Sequence, residues 1–126
     1  MKSVLLFLFF LVINCDSNDV DTLQETDKRA IDELKREIKE LAEDSVCSEM
    51  YSCESIGLGS KPCGGNWEYV VYSTSIDMIP FVAKVQQVNR MEQEYNEKYG
   101  IASDCALVLP PSSITCENGK CMAVYD

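Results

Sequence analysis

Cysteine carries most of the chemical potential of this chain: 126 residues hold seven cysteines and no histidine. Without histidine, Ser-His-Asp triads, Cys-His dyads and His-ligated zinc or haem all fall away. Setting Cys15 aside, the other six are Cys47, Cys53, Cys63, Cys105, Cys116 and Cys121, separated by 5, 9, 41, 10 and 4 residues. A cysteine zinc cluster needs C-x-x-C knuckles, and a dithiol redox centre needs one C-x-x-C pair. Neither spacing occurs. Six cysteines in an exported chain instead make three disulfides. No spacing nominates a carboxylate pair for acid–base work, so the chain reads as non-enzymatic, with no cofactor and no metal.

The elements that must position these cysteines divide by composition near residue 46. Residues 16–46 hold eleven acidic and five basic residues and neither Gly nor Pro. Thr22-Leu23-Gln24-Glu25 has the capping-box form, which predicts a helix over about 23–44. Ile31, Leu34, Ile38 and Leu41 give it one apolar stripe, with Asp32–Arg36, Arg36–Glu40 and Lys39–Glu43 as i,i+4 pairs. The stripe covers two heptads, so the helix is expected to be an acidic stalk leaning on its own domain. That domain is expected to begin at Cys47 and to fold by itself.

Within it, residues 53–58 read as a strand, residues 61–65 as a tight turn, and residues 67–73 (WEYVVYS) as the strongest strand. A second helix is expected from about 77, tolerating Pro80 in its first turn, to Tyr99 before Gly100. Residues 105–109 (CALVL) read as a buried strand stopped by Pro110-Pro111. Asn118-Gly119 predicts a two-residue hairpin that places Cys116 opposite Cys121, within disulfide reach. The remaining four cysteines allow three pairings, of which Cys47–Cys53 with Cys63–Cys105 is the expectation carried forward. The class is α+β: a small disulfide-stapled antiparallel sheet with one packed helix, preceded by an acidic amphipathic helix.

Met1-Lys2-Ser3 followed by ten apolar residues has the form of a signal peptide over 1–14, too short for the roughly 18–20 residues of a membrane span. Val12-Ile13-Asn14-Cys15 resembles the lipobox of bacterial lipoproteins. The resemblance implies a lipid anchor on Cys15, followed by an acidic tether and helix to residue 46 and a disulfide-rich domain over 47–126. The motif Gly59-Ser60-Lys61-Pro62-Cys63-Gly64-Gly65 with Trp67 and Tyr69 is similar to GSKPCGG-x-W-x-Y in small uncharacterised bacterial lipoproteins. Tyr99-Gly100, Ser103-Asp104-Cys105 and the C-x-N-G-x-C ending at 116–121 extend the resemblance, which implies fold and address but no mechanism.

A net charge of −10, from 11 Lys+Arg against 21 Asp+Glu, counts against nucleic acid or an anionic membrane surface as an electrostatic partner. The expectation is a monomeric cell-envelope lipoprotein, membrane-bound through Cys15, that presents its domain to a protein or ligand. Lys61, Trp67, Tyr69 and Tyr72 are the candidate binding surface. The alternative is a secreted inhibitor of a protease or other hydrolase, using the loop around Lys61.

Overall fold

The computed structural model describes residues 18–126; the expected signal peptide over 1–14 and Cys15 lie outside them. Helix α1 (Asn18–Asp44) leads to strands β1 (Cys53–Leu58) and β2 (Glu68–Ser73), helix α2 (Met78–Tyr99), and strands β3 (Ser113–Glu117) and β4 (Lys120–Val124). The fold is α+β with a disulfide-stapled strand region. The strands form two separate antiparallel pairs, β1–β2 and β3–β4, rather than one sheet. Residues 105–109 are the reason: they form no strand, and residues 101–111 run without helix, turn or bend. Each of the four strands is paired on one side only, so outer edges exist, but the run joins none of them, and Pro110 and Pro111 have no N–H to give a ladder.

α1 starts before Thr22, which therefore sits inside the helix rather than capping it; Thr26 Oγ1 donates to the Thr22 carbonyl at 2.8 Å. Arg36 pairs with Glu40 as its spacing predicts and also with Glu33. Asp32 instead takes Lys28, and Lys39 reaches across to Glu68 on β2 at 2.8 Å. The buried line of the helix runs through Ile31, Ile38 and Ala42, with Leu34 half covered and Leu41 exposed.

Those three residues share one core with Leu58 of β1, Val70 and Tyr72 of β2, and Phe81, Val85 and Val88 of α2. The Tyr72 and Phe81 rings sit 4.8 Å apart between centroids. Burial, together with the Glu54 carboxylate that accepts the Tyr72 hydroxyl at 3.0 Å, pushes this phenol up to about 12. Composition therefore changes at residue 46 but the core does not: α1 is a wall of the domain, not a detachable stalk. Its exit is stitched to β2 by buried serines. Ser45 Oγ accepts the Ser73 N–H at 2.8 Å, and Ser73 Oγ donates to the Val46 carbonyl at 2.9 Å.

The second hairpin turns at Asn118 (φ 52°) and Gly119 (φ 77°), the two left-handed residues that a type I′ turn requires. Cys116 and Cys121 stand opposite each other in register, as expected, but do not bond to each other. Both side chains leave the hairpin on the face turned toward the rest of the domain. Cys116 bonds Cys47 and Cys121 bonds Cys53, at Cα separations of 6.0 and 5.6 Å. The third disulfide is Cys63–Cys105. Crosslinks spanning 69 and 68 residues restrict the unfolded chain far more than a hairpin bond would, by about 4 kcal/mol for the first by the chain-entropy argument. The two span nearly the same loop, so the second adds less.

Because Ile38 is fully buried against α2, Ile38→Ala should cost about 2–5 kcal/mol in a denaturant melt. Deleting residues 18–44 should abolish the cooperative thermal transition even with all three disulfides intact, and a truncated domain that still melts cooperatively would refute the shared core.

Candidate functional site

The most constrained part of the surface is the loop after β1, and the polar side of α2 constrains it. Asn89, Glu92 and Asn96 occur at helical spacing on the side that faces this loop. The Gly59 N–H donates to Asn89 Oδ1 at 2.7 Å, while Asn89 Nδ2 donates to the Gly57 carbonyl at 3.2 Å. The Ser60 N–H donates to Glu92 Oε2 at 2.8 Å, and Asn96 Nδ2 donates to the Ser60 carbonyl at 2.7 Å. The other oxygen of Glu92 takes Lys35 Nζ of α1 at 2.7 Å, with both side chains largely buried.

This close fit explains the glycine at 59. Its φ is +84°, and a Cβ there would lie 2.7 Å from Glu92 Oε2 and 2.8 Å from Trp67 Cδ1. Any other residue would strain the backbone and push against the ion pair.

The loop so held presents Lys61 inward. Its side chain is 5% exposed; Nζ donates to Asp104 Oδ1 and to the Ala106 carbonyl, both at 2.8 Å, and stands 5.0 Å from the centre of the Trp67 ring. The Lys61 main chain closes a turn with residues 64 and 65. Two residues on, Cys63 is bonded to Cys105. The ammonium and the disulfide together grip residues 104–106 from one side. The Lys61 hydrogen bond holds the exposed Asp104 carboxyl below its ordinary value of 3.8.

Beyond that grip the chain is bare. Leu107 is 76% and Leu109 64% exposed, while Val108 between them is half-buried. Leu107, Val108 and Leu109 make no hydrogen bond to any described residue. From Cys105 to Cys116 no residue is charged, in a chain carrying a net −10. The run ends at Ser112, whose N–H and Oγ both donate to the Val124 carbonyl at 2.9 Å.

The expected surface of Lys61, Trp67, Tyr69 and Tyr72 is not one surface. Lys61 is buried and Tyr72 belongs to the core, so neither is an exposed contact. Strand alternation turns Tyr72 and Val70 inward and leaves Tyr69 half-buried on the other face. Trp67, 38% exposed, stays at the surface beside a groove of about 270 Å³ that Lys35, Glu92 and Tyr95 also line. Lys35 and Glu92 are already paired with each other, and Lys28, also in the lining, is paired with Asp32. Asp104, Leu107 and Leu109 lie outside the expected binding surface, although the uncharged run and the Ser103-Asp104-Cys105 segment mark the place in the sequence. The sulfurs of Cys47, Cys53 and Cys121 lie within 4.8 Å of one another, but each is in a disulfide and offers no thiolate to a metal.

Lys61→Met keeps the apolar stem and removes both bonds to the segment. It should cost about 1.5–3 kcal/mol and drop the amide order parameter of Leu107 from about 0.85 toward 0.6 or below. Unchanged relaxation at Leu107 would show that Lys61 does not hold the segment. Acid should act in the same direction but through the Asp104 bond alone, since the Ala106 carbonyl keeps the ammonium. A lowered Asp104 value means that its bond contributes fully above pH 3.8 and is lost as pH falls through the lowered value, so Leu107 should become mobile only below pH 3.8.

Comparison with protein-family models, with curated proteins and with solved structures finds no match to this chain. What it does has to be read from its own residues.

Proposed function

We propose that this chain is a non-enzymatic binding protein of the cell envelope, held there by lipid on Cys15, and that residues 104–109 are the element it offers to a partner. The observation that carries the reading is exposure combined with restraint. Leu107 and Leu109 are largely in water, yet the segment is fixed at Cys105 by a disulfide and at Asp104 and Ala106 by a buried ammonium. Two exposed leucines one residue apart gain hydrophobic free energy only by being covered. Fixing them beforehand removes part of the ordering entropy that binding otherwise costs.

No helix among the described residues is long and apolar enough to cross a membrane, and attachment in this reading is by the lipid on Cys15. Two or three acyl chains on one cysteine suffice for a durable anchor. An inhibitor reading centred on Lys61 loses its support, because an ammonium committed to Asp104 and Ala106 is not free to enter an enzyme's pocket.

A photoreactive residue at position 107 of the full chain, expressed in its own envelope, tests the segment. A discrete crosslinked protein is expected from position 107 and none from the exposed Glu33 on α1. Cys15→Ser should move the protein from the membrane fraction to the soluble exported fraction. Absence of any adduct at 107 would remove the segment's role, and wild-type protein found soluble would remove the anchor.

A further inference from the structure

We infer that the partner residues 104–111 fit is the substrate cleft of an endopeptidase with an apolar specificity pocket, and that the chain inhibits such an enzyme by offering Leu107 as the residue before the attacked bond. The inference rests on the preceding reading of this segment as the binding element.

The first argument is shape. Residues 101–111 run without turn or bend, and each residue before a proline is confined to extended backbone, which fixes Leu109 and Pro110. A peptidase cleft takes such a segment by main-chain hydrogen bonds and sorts it by side chains placed in pockets. Leu107 is the more exposed of the two leucines, and its main chain and those of Val108 and Leu109 have no hydrogen bonds to described residues to give up. The second argument is length. Between Cys105, bonded to Cys63, and Pro110, which has no N–H, lie four residues, and the Ala106 carbonyl is already taken by Lys61, so only residues 107–109 are open. That is short of the five or six residues of an ordinary added strand, but enough for a cleft that reads a few positions around one bond. The third is charge: the run is neutral within an acidic chain, which suits an apolar pocket and not a basic or acidic one.

What separates an inhibitor from a substrate is the fate of the cut ends. Attack by an enzyme's serine on the Leu107 carbonyl forms an ester to the serine oxygen and breaks the bond to the Val108 nitrogen. The serine's proton passes through the enzyme's histidine to that amine. In an ordinary substrate the amine diffuses away and water releases the acid. Here residues 108–126 remain bonded to the body through Cys47–Cys116 and Cys53–Cys121, and Ser112 is held on Val124. On the other side, Cys105 and Ala106 stay fixed to Cys63 and Lys61. The amine remains beside the acyl carbon at high effective concentration and re-forms the peptide, returning the proton to the serine.

The test titrates the oxidised chain from residue 15 onward, with Cys15→Ser so that no lipid is present, against chymotrypsin, elastase and subtilisin, with trypsin alongside. Stoichiometric inhibition of at least one of the first three is expected, with trypsin unaffected. Leu107→Asp should weaken it by at least about a hundredfold. Leu107→Lys should transfer inhibition to trypsin, a gain that misfolding could not produce. Any cut chain should part at 107–108 only after reduction. No inhibition by wild type, equal inhibition by Leu107→Asp, or trypsin left active by Leu107→Lys would each overturn the inference. In that case, a crosslink from position 107 to a second copy or to a protein that is not a peptidase keeps the binding role, whereas no crosslink ends both readings.

Discussion

Glu92 is the group on which the fold's three layers converge. One carboxylate oxygen takes the ammonium of Lys35 from α1, and the other takes the Ser60 N–H from the loop after β1, while its own backbone lies in α2. An ion pair out of water recovers its desolvation only if the remaining lone pairs are also satisfied, which the loop amide does. The pair is therefore less a source of net stability than a condition on geometry. Removing either partner leaves a buried charge, so α1, α2 and the loop must meet in this one arrangement. Gly59 is the local consequence, since a Cβ there would press on the same carboxylate.

From that node the constraint passes outward. The loop fixed by Asn89, Glu92 and Asn96 turns Lys61 inward, and Lys61 then reaches the segment at Asp104 and Ala106. The neighbouring Cys63–Cys105 bond repeats the attachment covalently. The two layers of restraint differ in kind: the ammonium is sensitive to acid through Asp104, and the disulfide to reductant. Both end at the same place, just before the exposed Leu107.

The two remaining disulfides solve a different problem. The β3–β4 hairpin is exposed along most of its length and buries little apolar surface of its own. A two-stranded hairpin is marginal in water. A bond between Cys116 and Cys121 would only have closed the hairpin on itself. Bonds to Cys47 and Cys53 fasten it to the chain on either side of the loop between α1 and β1, and the Cys47 N–H reinforces this by donating to the Gly119 carbonyl at 3.0 Å. Lys120 adds a fourth tie, its ammonium donating to the Glu43 carbonyl at the end of α1.

Local signals in the sequence determined the local structure. The runs at 53–58 and 67–73, Gly100 after Tyr99, and Asn118-Gly119 each specify a conformation of their own residues, and the elements stand there, β2 beginning one residue later at Glu68. The count of six cysteines likewise determined three disulfides. What needed the tertiary structure was everything that depends on which surfaces meet. A hydrophobic stripe on α1 does not say what covers it, and Ala42 rather than Leu41 completes its buried line. On α2, the polar Glu92 and Asn96 are buried while the neighbouring Met91, Tyr95 and Tyr99 are only half-covered, because the facing loop offers backbone groups that polar side chains satisfy. Lys61 read as exposed because lysines usually are; its burial follows from Asp104 and Ala106, some forty residues away. The run at 105–109 read as a core strand because apolarity alone does not distinguish a strand that finds a partner from a segment fastened at one end and left in water. Pairing and burial are properties of two surfaces at once, and a single segment carries only one of them.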